Sequence, residues 1–375
     1  MPEEKLQKPI LGVCIGRKEN EKRLLFQRLI KSRLLKHNNL PFNTIIVFTM
    51  DQLNLIDLTV SGECLFLCEQ KVKSKKGTYP FPDVIYIQSE LQYEEIKPIE
   101  KIIPGKVFNN HFYNKYECIS ILSKNKRLMR YLPETELLKN QENLLASLNR
   151  FNEVFLKPIN GHSGKGIFFI KLLGSGKVSC VSKRQELMFE SFNDFSSWFF
   201  ERYQQSNYMI QRAINTAKWK GMATDVRLNM NKNSHGLWEV SFLVGRLALN
   251  QIFVSAGNRG NITIHLNQML KQLFPNRNRH KINSLIVELG YNICQTFDKT
   301  KYHMGDLGID LGIDQNGNLW IFEVNHLPYP FHNLQDQSMT LPLDYAYYLT
   351  QKSKGLKPLI SNIKNIFNRK NEERQ

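Results

Sequence analysis

The chain has 375 residues, 42% hydrophobic and 23% charged, a balance that suits a globular fold with a sizeable core and excludes low-complexity or fibrous classes. No apolar run approaches the roughly 18–20 residues of a membrane helix, and MPEEKLQKPI lacks the apolar core of a secretion signal, so the expectation is a cytoplasmic protein without a membrane span. The formal net charge of +17 asks for an anionic partner, but it is spread over RKENEKR (17–23), KSRLLKH (31–37), KVKSKK (71–76), residues 277–281 and the tail, with no basic helix or zinc-finger pattern, which disfavours nucleic acid.

The first hundred residues alternate in type. LGVCIG (11–16) reads as a strand, LLFQRLIKSRLL (24–35) as a helix with leucines at helical spacing, and TIIVFTM (44–50) as a second strand. ECLFLCE (63–69) and DVIYIQ (83–88) follow as strands, separated by a basic turn containing Gly and Pro. This unit closes near IIPGKVFNN (102–110). A helix then runs from Asn114 and stops at Leu132, because proline disfavours helical geometry in the residue before it. Beyond a glycine-rich segment come a helix at 191–205, with Phe192, Phe195, Phe199 and Tyr203 on one face, and strands at 208–214, 224–231, 236–249 and 309–325. LIVELGYNICQTF (285–297) is a helix among them. The six cysteines show no zinc or redox spacing and read as free thiols.

The segment GDLGIDLGIDQNGNLWIFEVNHLP (305–328) carries the most chemistry. Asn316-Gly317 signals a two-residue hairpin turn. That turn sets Asp310 opposite Glu323 and puts Leu311, Ile313, Trp320, Phe322 and Val324 on one apolar face, with Asp310, Glu323 and Asn325 on the other. Two facing carboxylates repel unless a cation lies between them. A hard divalent ion with oxygen ligands, Mg²⁺ or Mn²⁺, fits Asp310, Glu323 and Asn325 as a candidate metal site.

Such an ion commonly carries phosphates, which gives FLKPINGHSGKGIFFI (155–170) a purpose. Gly161, Gly164 and Gly166 allow backbone N–H groups to approach phosphate oxygens, and Lys157 places an ammonium beside them. The loop joins two strands, so it matches neither the strand-to-helix phosphate loop nor the dinucleotide fingerprint.

In this order the parts resemble the ATP-grasp superfamily, and within it the YheC/YheD group of endospore coat-associated proteins. The resemblance runs from about Phe81 to Pro328 through PFPDVIY, NKYECISILS, YLPET, FLKPINGHSGKGI, MIQRAI, DVRLNMNKN with GLWEV, GIDLGID and WIFEVNHLP. It implies an α/β (α+β) architecture: a small N-terminal α/β domain (1–108), a two-lobed ATP-grasp domain (109–350) with antiparallel sheets and a glycine-rich flap, its nucleotide-covering lobe at 151–215, and a basic tail (351–375). It implies ATP and Mg²⁺ as cofactors, Lys115 and Lys157 on the phosphates, with Lys126 a weaker rival to Lys115, and Gln211, Arg212, Ala213 and Ile214 as the adenine hinge. Arg227 and Arg246 would face the transferred phosphate or the acceptor, as catalytic groups. The sequence departs from the pattern at Gln88, at Asp306, and at Ser255-Ala256 and Asn258-Arg259-Gly260 of a second glycine-rich loop, which leaves the acceptor open.

The implied activity is an ATP- and Mg-dependent carboxylate–amine ligase acting through an acylphosphate, with an unidentified acid and amine, an acidic peptide or protein tail among the candidates. Spore coat proteins are the implied partners. The alternative is a catalytically silent ATP-grasp scaffold at the spore coat.

Overall fold

The computed structural model describes residues 8–352 apart from 22–23, 38, 70, 162–163, 183–184, 204–206, 249–260 and 331–335. Three sheets account for the strands.

The first contains Ile10–Cys14 (β1), Thr44–Phe48 (β2), Leu53–Asn54 (β3), Thr59–Cys68 (β4), Lys71–Pro80 (β5), Val84–Ile87 (β6) and Val107–Phe108 (β7). β1 pairs in parallel with β2 and β6. These strands are short apolar runs because both faces are covered. Helices Leu24–Lys36 (α1) and, from the far end of the chain, Leu341–Gln351 pack on one face, and Tyr93–Ile102 (α2) on the other. The basic stretch at 71–80, read from sequence as a turn, is strand β5, paired with β4 from Thr59↔Pro80 to Cys68↔Lys71. Its composition is poor for a strand, but β4 supplies a full ladder, and exposed lysines are what an outer strand tolerates.

Helix formation at 115 is local. Asn114 accepts a hydrogen bond from the Glu117 amide and caps Lys115–Ser123 (α3). The helix expected to continue to Leu132 breaks at Lys124, and Asn125 caps a second short one, Lys126–Met129 (α4). The next helix is Gln141–Phe151 (α5).

The second sheet holds Thr135–Leu137 (β8), Glu153–Pro158 (β9), Phe168–Leu172 (β10), Val178–Ser182 (β11), Glu186–Phe189 (β12) and Tyr208–Arg212 (β13), in the order β12-β11-β10-β9-β13-β8. α5 and Phe192–Tyr203 (α6) cover one face, burying Val154, Leu156, Tyr208 and Ile210 with Phe195 and Phe199. Strand alternation therefore turns Phe155, Lys157, Met209 and Gln211 the other way.

The third sheet holds Lys218–Trp219 (β14), Met222–Lys232 (β15), Trp238–Ala248 (β16), Asn261–His265 (β17), Asp306–Ile313 (β18) and Leu319–Asn325 (β19). Leu266–Leu273 (α7) and the long helix Arg279–Asp298 (α8) pack on one face, over Val226, Leu228, Met230, Leu307, Ile309, Leu311 and Ile313. The opposite face carries Asp225, Arg227, Asn229 and Asn231 on β15, and Asp306, Gly308, Asp310 and Gly312 on β18. The helix at 341–351 is α9. All six cysteines are free; Cys14, Cys118, Cys180 and Cys294 are buried.

The β18–β19 hairpin differs from its sequence reading. Its turn spans Asp314 to Asn318, closed by Gly317 N to Asp314 O at 2.9 Å and Asp314 N to Asn318 O at 3.0 Å, so that Ile313 faces Leu319. A bulge next to Asp310 absorbs Phe322 and returns the register to Asp310↔Glu323. Trp320 and Phe322 consequently leave the core face, and Leu319 and Ile321 occupy it instead.

Candidate active site

The site lies where the inward faces of the second and third sheets meet. Phe155, Lys157, Ile167, Gln211, Ile214, Asp225, Asp310 and Phe322 line one cavity of about 110 Å³. An adjoining one of about 60 Å³ is lined by Lys115, Gly161, Glu323, Asn325 and His326.

Lys157 reaches this face because β9 alternates, and its ammonium donates to Gln211 Oε1 at 2.5 Å. Gln211 in turn donates to Thr135 Oγ1 at 3.0 Å, which fixes the orientation of the amide. The ammonium also sits 5.4 Å from the Phe155 ring centre and 6.0 Å from that of Phe322. Burial pulls its pKa down to about 8, against the opposing field of the Glu323 carboxylate. A partly desolvated ammonium of this kind gains from an arriving phosphate.

Phe322 can turn toward the cavity because Gly312 has no side chain: a Cβ there would stand 2.2 Å from the Phe322 ring. Gly308 does the same for Arg227, whose guanidinium carbon would lie 2.9 Å from a Cβ. The two glycines that flank Asp310 on this face of β18 thus make room for a guanidinium on one side of it and an aromatic ring on the other.

Asp310 is buried and paired twice, with Arg227 Nη1 at 2.6 Å and Arg246 Nη2 at 2.9 Å. Burial would raise its carboxyl, but the two guanidiniums outweigh burial and hold it below its ordinary range. Arg246 also grips Asp225 side-on, Nε to Oδ1 at 2.7 Å and Nη2 to Oδ2 at 2.5 Å. Glu323 pairs with Lys115 at 2.8 Å, and the same Lys115 ammonium donates to Gly161 O at 2.7 Å, tying the base of the glycine loop to β19. The repulsion between Asp310 and Glu323 is therefore relieved by protein cations.

Among the described residues no three His, Cys, Asp or Glu side chains converge as a metal-ligand group. Asp310 and Glu323 share a rung, and Asn325 stands on the next same-face rung opposite Gly308. This all-oxygen set suits a hard divalent ion once Arg227, Arg246 and Lys115 take other partners.

Of the remaining sequence candidates, Gly164 and Gly166 adopt left-handed φ of 70° and 73°. Between them and Gly161, residues 162–163 lie outside the described part, as do Ser255, Asn258, Arg259 and Gly260. Ala213 N bonds Glu153 O at 3.1 Å. Arg212 also lines the 110 Å³ cavity, and its guanidinium pairs with Glu134 at 3.2 Å. Lys126 is exposed on α4. Sequence reasoning missed Asp225, Phe155 and Phe322 as site residues. The polar residues alternating through TDVRLNMN could have revealed Asp225 beside Arg227, whereas Phe322 depends on the bulge.

A family profile described as YheC/D like ATP-grasp matches residues 105–349. The chain belongs to this family. Two curated Bacillus subtilis (strain 168) members are similar: the endospore coat-associated protein YheD, 26% identical over 82% of this chain and 71% of its own length, and YheC, 22% identical over 74% and 81%. Among solved structures, the VanG D-Ala:D-Ser ligase from Enterococcus faecalis superposes with TM-score 0.54 at 12% identity, covering 91% of this chain and 99% of that one. The D-alanine-D-alanine ligase from Coxiella burnetii gives 0.52 at 11%, covering 98% and 100%. These likenesses establish the ATP-grasp fold. Among the described residues of this YheC/D-like chain, no helix is long and apolar enough to cross a membrane.

Proposed function

We propose that this protein is an ATP-dependent carboxylate–amine ligase that uses a divalent cation, Mg²⁺ or Mn²⁺. The supporting observation is that Lys157, on the glycine-loop sheet, and Asp310, on the carboxylate hairpin, line one cavity. Lys157 and Lys115 would hold the triphosphate from opposite sides, under Gly161, Gly164 and Gly166, with the purine against Phe155, Phe322, Ile214 and the 211–214 segment. Asp310, Glu323 and Asn325 would hold the cation, which when bound neutralises phosphate charge. Arg227 and Arg246 would then face the transferred phosphoryl group. Transfer to a substrate carboxylate gives an acylphosphate and ADP, and an amine displaces phosphate from it. Such chemistry is largely positioning and charge stabilisation.

The proposed division is a small N-terminal domain (1–108), the ATP-grasp domain (109–350), with the nucleotide-covering lobe at 151–215, and a basic tail (351–375). By analogy with the names of its relatives we place the protein at the spore coat, with coat proteins as partners; the cytoplasm is the further location expected from the sequence. The second reading is a catalytically silent scaffold, which the net charge of +17 would hold to an anionic coat surface.

The test is ADP release with Mg-ATP and pooled amino acids or spore extract, alongside a search for new amide masses. Asp310→Asn is expected to lose about 10²–10³ in rate with its circular dichroism unchanged. Wild-type turnover by that variant would remove the metal assignment, and nucleotide binding without ADP across all candidates would favour the scaffold.

A further inference from the structure

Asp225 was not among the residues singled out by sequence, yet it is almost fully buried and makes the most complete ion pair of the site. Arg246 touches Asp225 through two N–H groups and Asp310 through only one, the shared Nη2. Arg227 is held differently. Its Nη1 binds Asp310, and its other anchor is the neutral Asn229 amide, Nε to Oδ1 at 2.9 Å.

The asymmetry matters when a divalent cation takes Asp310. Both guanidiniums then lose a carboxylate partner. Arg246 retains a two-point charged grip on Asp225, directly opposite it on β15, while Arg227 retains one neutral acceptor. Side-on guanidinium–carboxylate pairs are among the stronger and more directional contacts. Without Asp225, Arg246 would have Asp310 as its single charged partner and would compete with the metal for it.

We propose that Asp225 is a positioning residue: it holds Arg246 beside the metal site, so that Asp310 can be released to a divalent cation while Arg246 stays aimed at the phosphates. The proposal rests on the nucleotide–metal reading above. In the resting site Asp310 and Glu323 are already neutralised by Arg227, Arg246 and Lys115. A free cation therefore meets three protein cations, and uptake requires phosphates to accept the displaced ones.

The test is Mn²⁺ binding by electron paramagnetic resonance on the full chain, with and without a non-hydrolysable ATP analogue. Wild type should take up Mn²⁺ far more tightly with the analogue than without it. Asp225→Asn should weaken Mn²⁺ uptake in the presence of the analogue about 10- to 100-fold, the scale of one charged hydrogen bond. Its circular dichroism without metal or analogue should match that of wild type. Asp225→Glu should recover most of the loss. The double variant Asp225→Asn/Arg246→Met should bind Mn²⁺ more tightly than Asp225→Asn alone, because the competing guanidinium is gone.

Wild-type Mn²⁺ uptake by Asp225→Asn would overturn the proposal. So would a double variant as weak as the single, which would make Asp225 a metal ligand in its own right. A joint fall of melting temperature and metal-free analogue affinity would make it structural only. If wild type itself takes up no Mn²⁺ with the analogue, the nucleotide–metal reading fails, and this outcome is distinct from the other three.

Discussion

At the scale of single residues, the site is a balance of charges held in a desolvated space. Four cationic side chains, Lys115, Lys157, Arg227 and Arg246, meet three anionic ones, Asp225, Asp310 and Glu323. The surplus falls on Lys157, whose described contacts are a neutral amide and two aromatic rings. With a pKa near 8, Lys157 is protonated at neutral pH and loses its proton as pH rises through that value. A bound phosphate stabilises the charged form, so nucleotide binding above about pH 8 must take up a proton. Affinity should be flat below that pH and fall above it by up to tenfold per unit. Lys157→Met should weaken binding about 10- to 100-fold and flatten the profile. Calorimetry in buffers of different ionisation enthalpy checks both; a wild-type profile without a break near pH 8 would remove Lys157 from the phosphates.

At the scale of elements, the β18–β19 hairpin shows what a sequence can and cannot reveal. The Asp310–Glu323 pairing was legible from the period of two and the Asn316-Gly317 signal, but the route was wrong in two places. The turn is longer than two residues, because the Asp314 carboxylate accepts the Asn316 and Asn318 amides at 2.8 and 2.9 Å and organises a wider bend. The bulge at Phe322 then cancels the offset. A bulge has no compositional mark here, since Phe322 looks like any core aromatic in an alternating strand. The break at Lys124 was hidden for a similar reason: apolar residues continue at helical spacing while the Asn125 cap restarts the helix. Strand β5 was illegible because its pairing is imposed by β4 against its own composition. Gly312 offers a test at this scale. A methyl group there would collide with the Phe322 ring. Gly312→Ala should cost about 1–3 kcal/mol in urea unfolding and push Phe322 further into the cavity it lines, weakening the proposed nucleotide binding as well. An unchanged stability would contradict the bulge geometry.

At the scale of the whole molecule, the third sheet is tied to the first by buried polar contacts. Tyr86 donates its hydroxyl to Asp306 Oδ2 at 2.5 Å, Asn109 Nδ2 reaches His326 O at 2.7 Å, and the α1 residue Arg33 donates to the carbonyls of Ser338 and Met339 just before α9. Helix α9 thus closes the chain onto its own beginning, a contact between distant segments that no local pattern announces. Burial raises Asp306 to about 6, opposed by the Arg33 guanidinium. With the folded value above the unfolded one, the stability from this group is fully present below the ordinary carboxylate range and is lost as pH rises through about 6. Relative to Asp306→Asn, wild type should therefore gain stability between about pH 7 and pH 5 in paired urea melts. A difference between the two that is independent of pH would contradict a buried, proton-holding Asp306.

The proposed activity requires that the two inward faces enclose a nucleotide. Titration calorimetry of the purified chain with ATP, with and without Mg²⁺, decides it. Saturable binding that Mg²⁺ strengthens in wild type, and that Glu323→Gln makes insensitive to Mg²⁺, is the predicted result. A wild-type protein that gives no binding heat with ATP at any Mg²⁺ concentration, in buffers of different ionisation enthalpy, would contradict it.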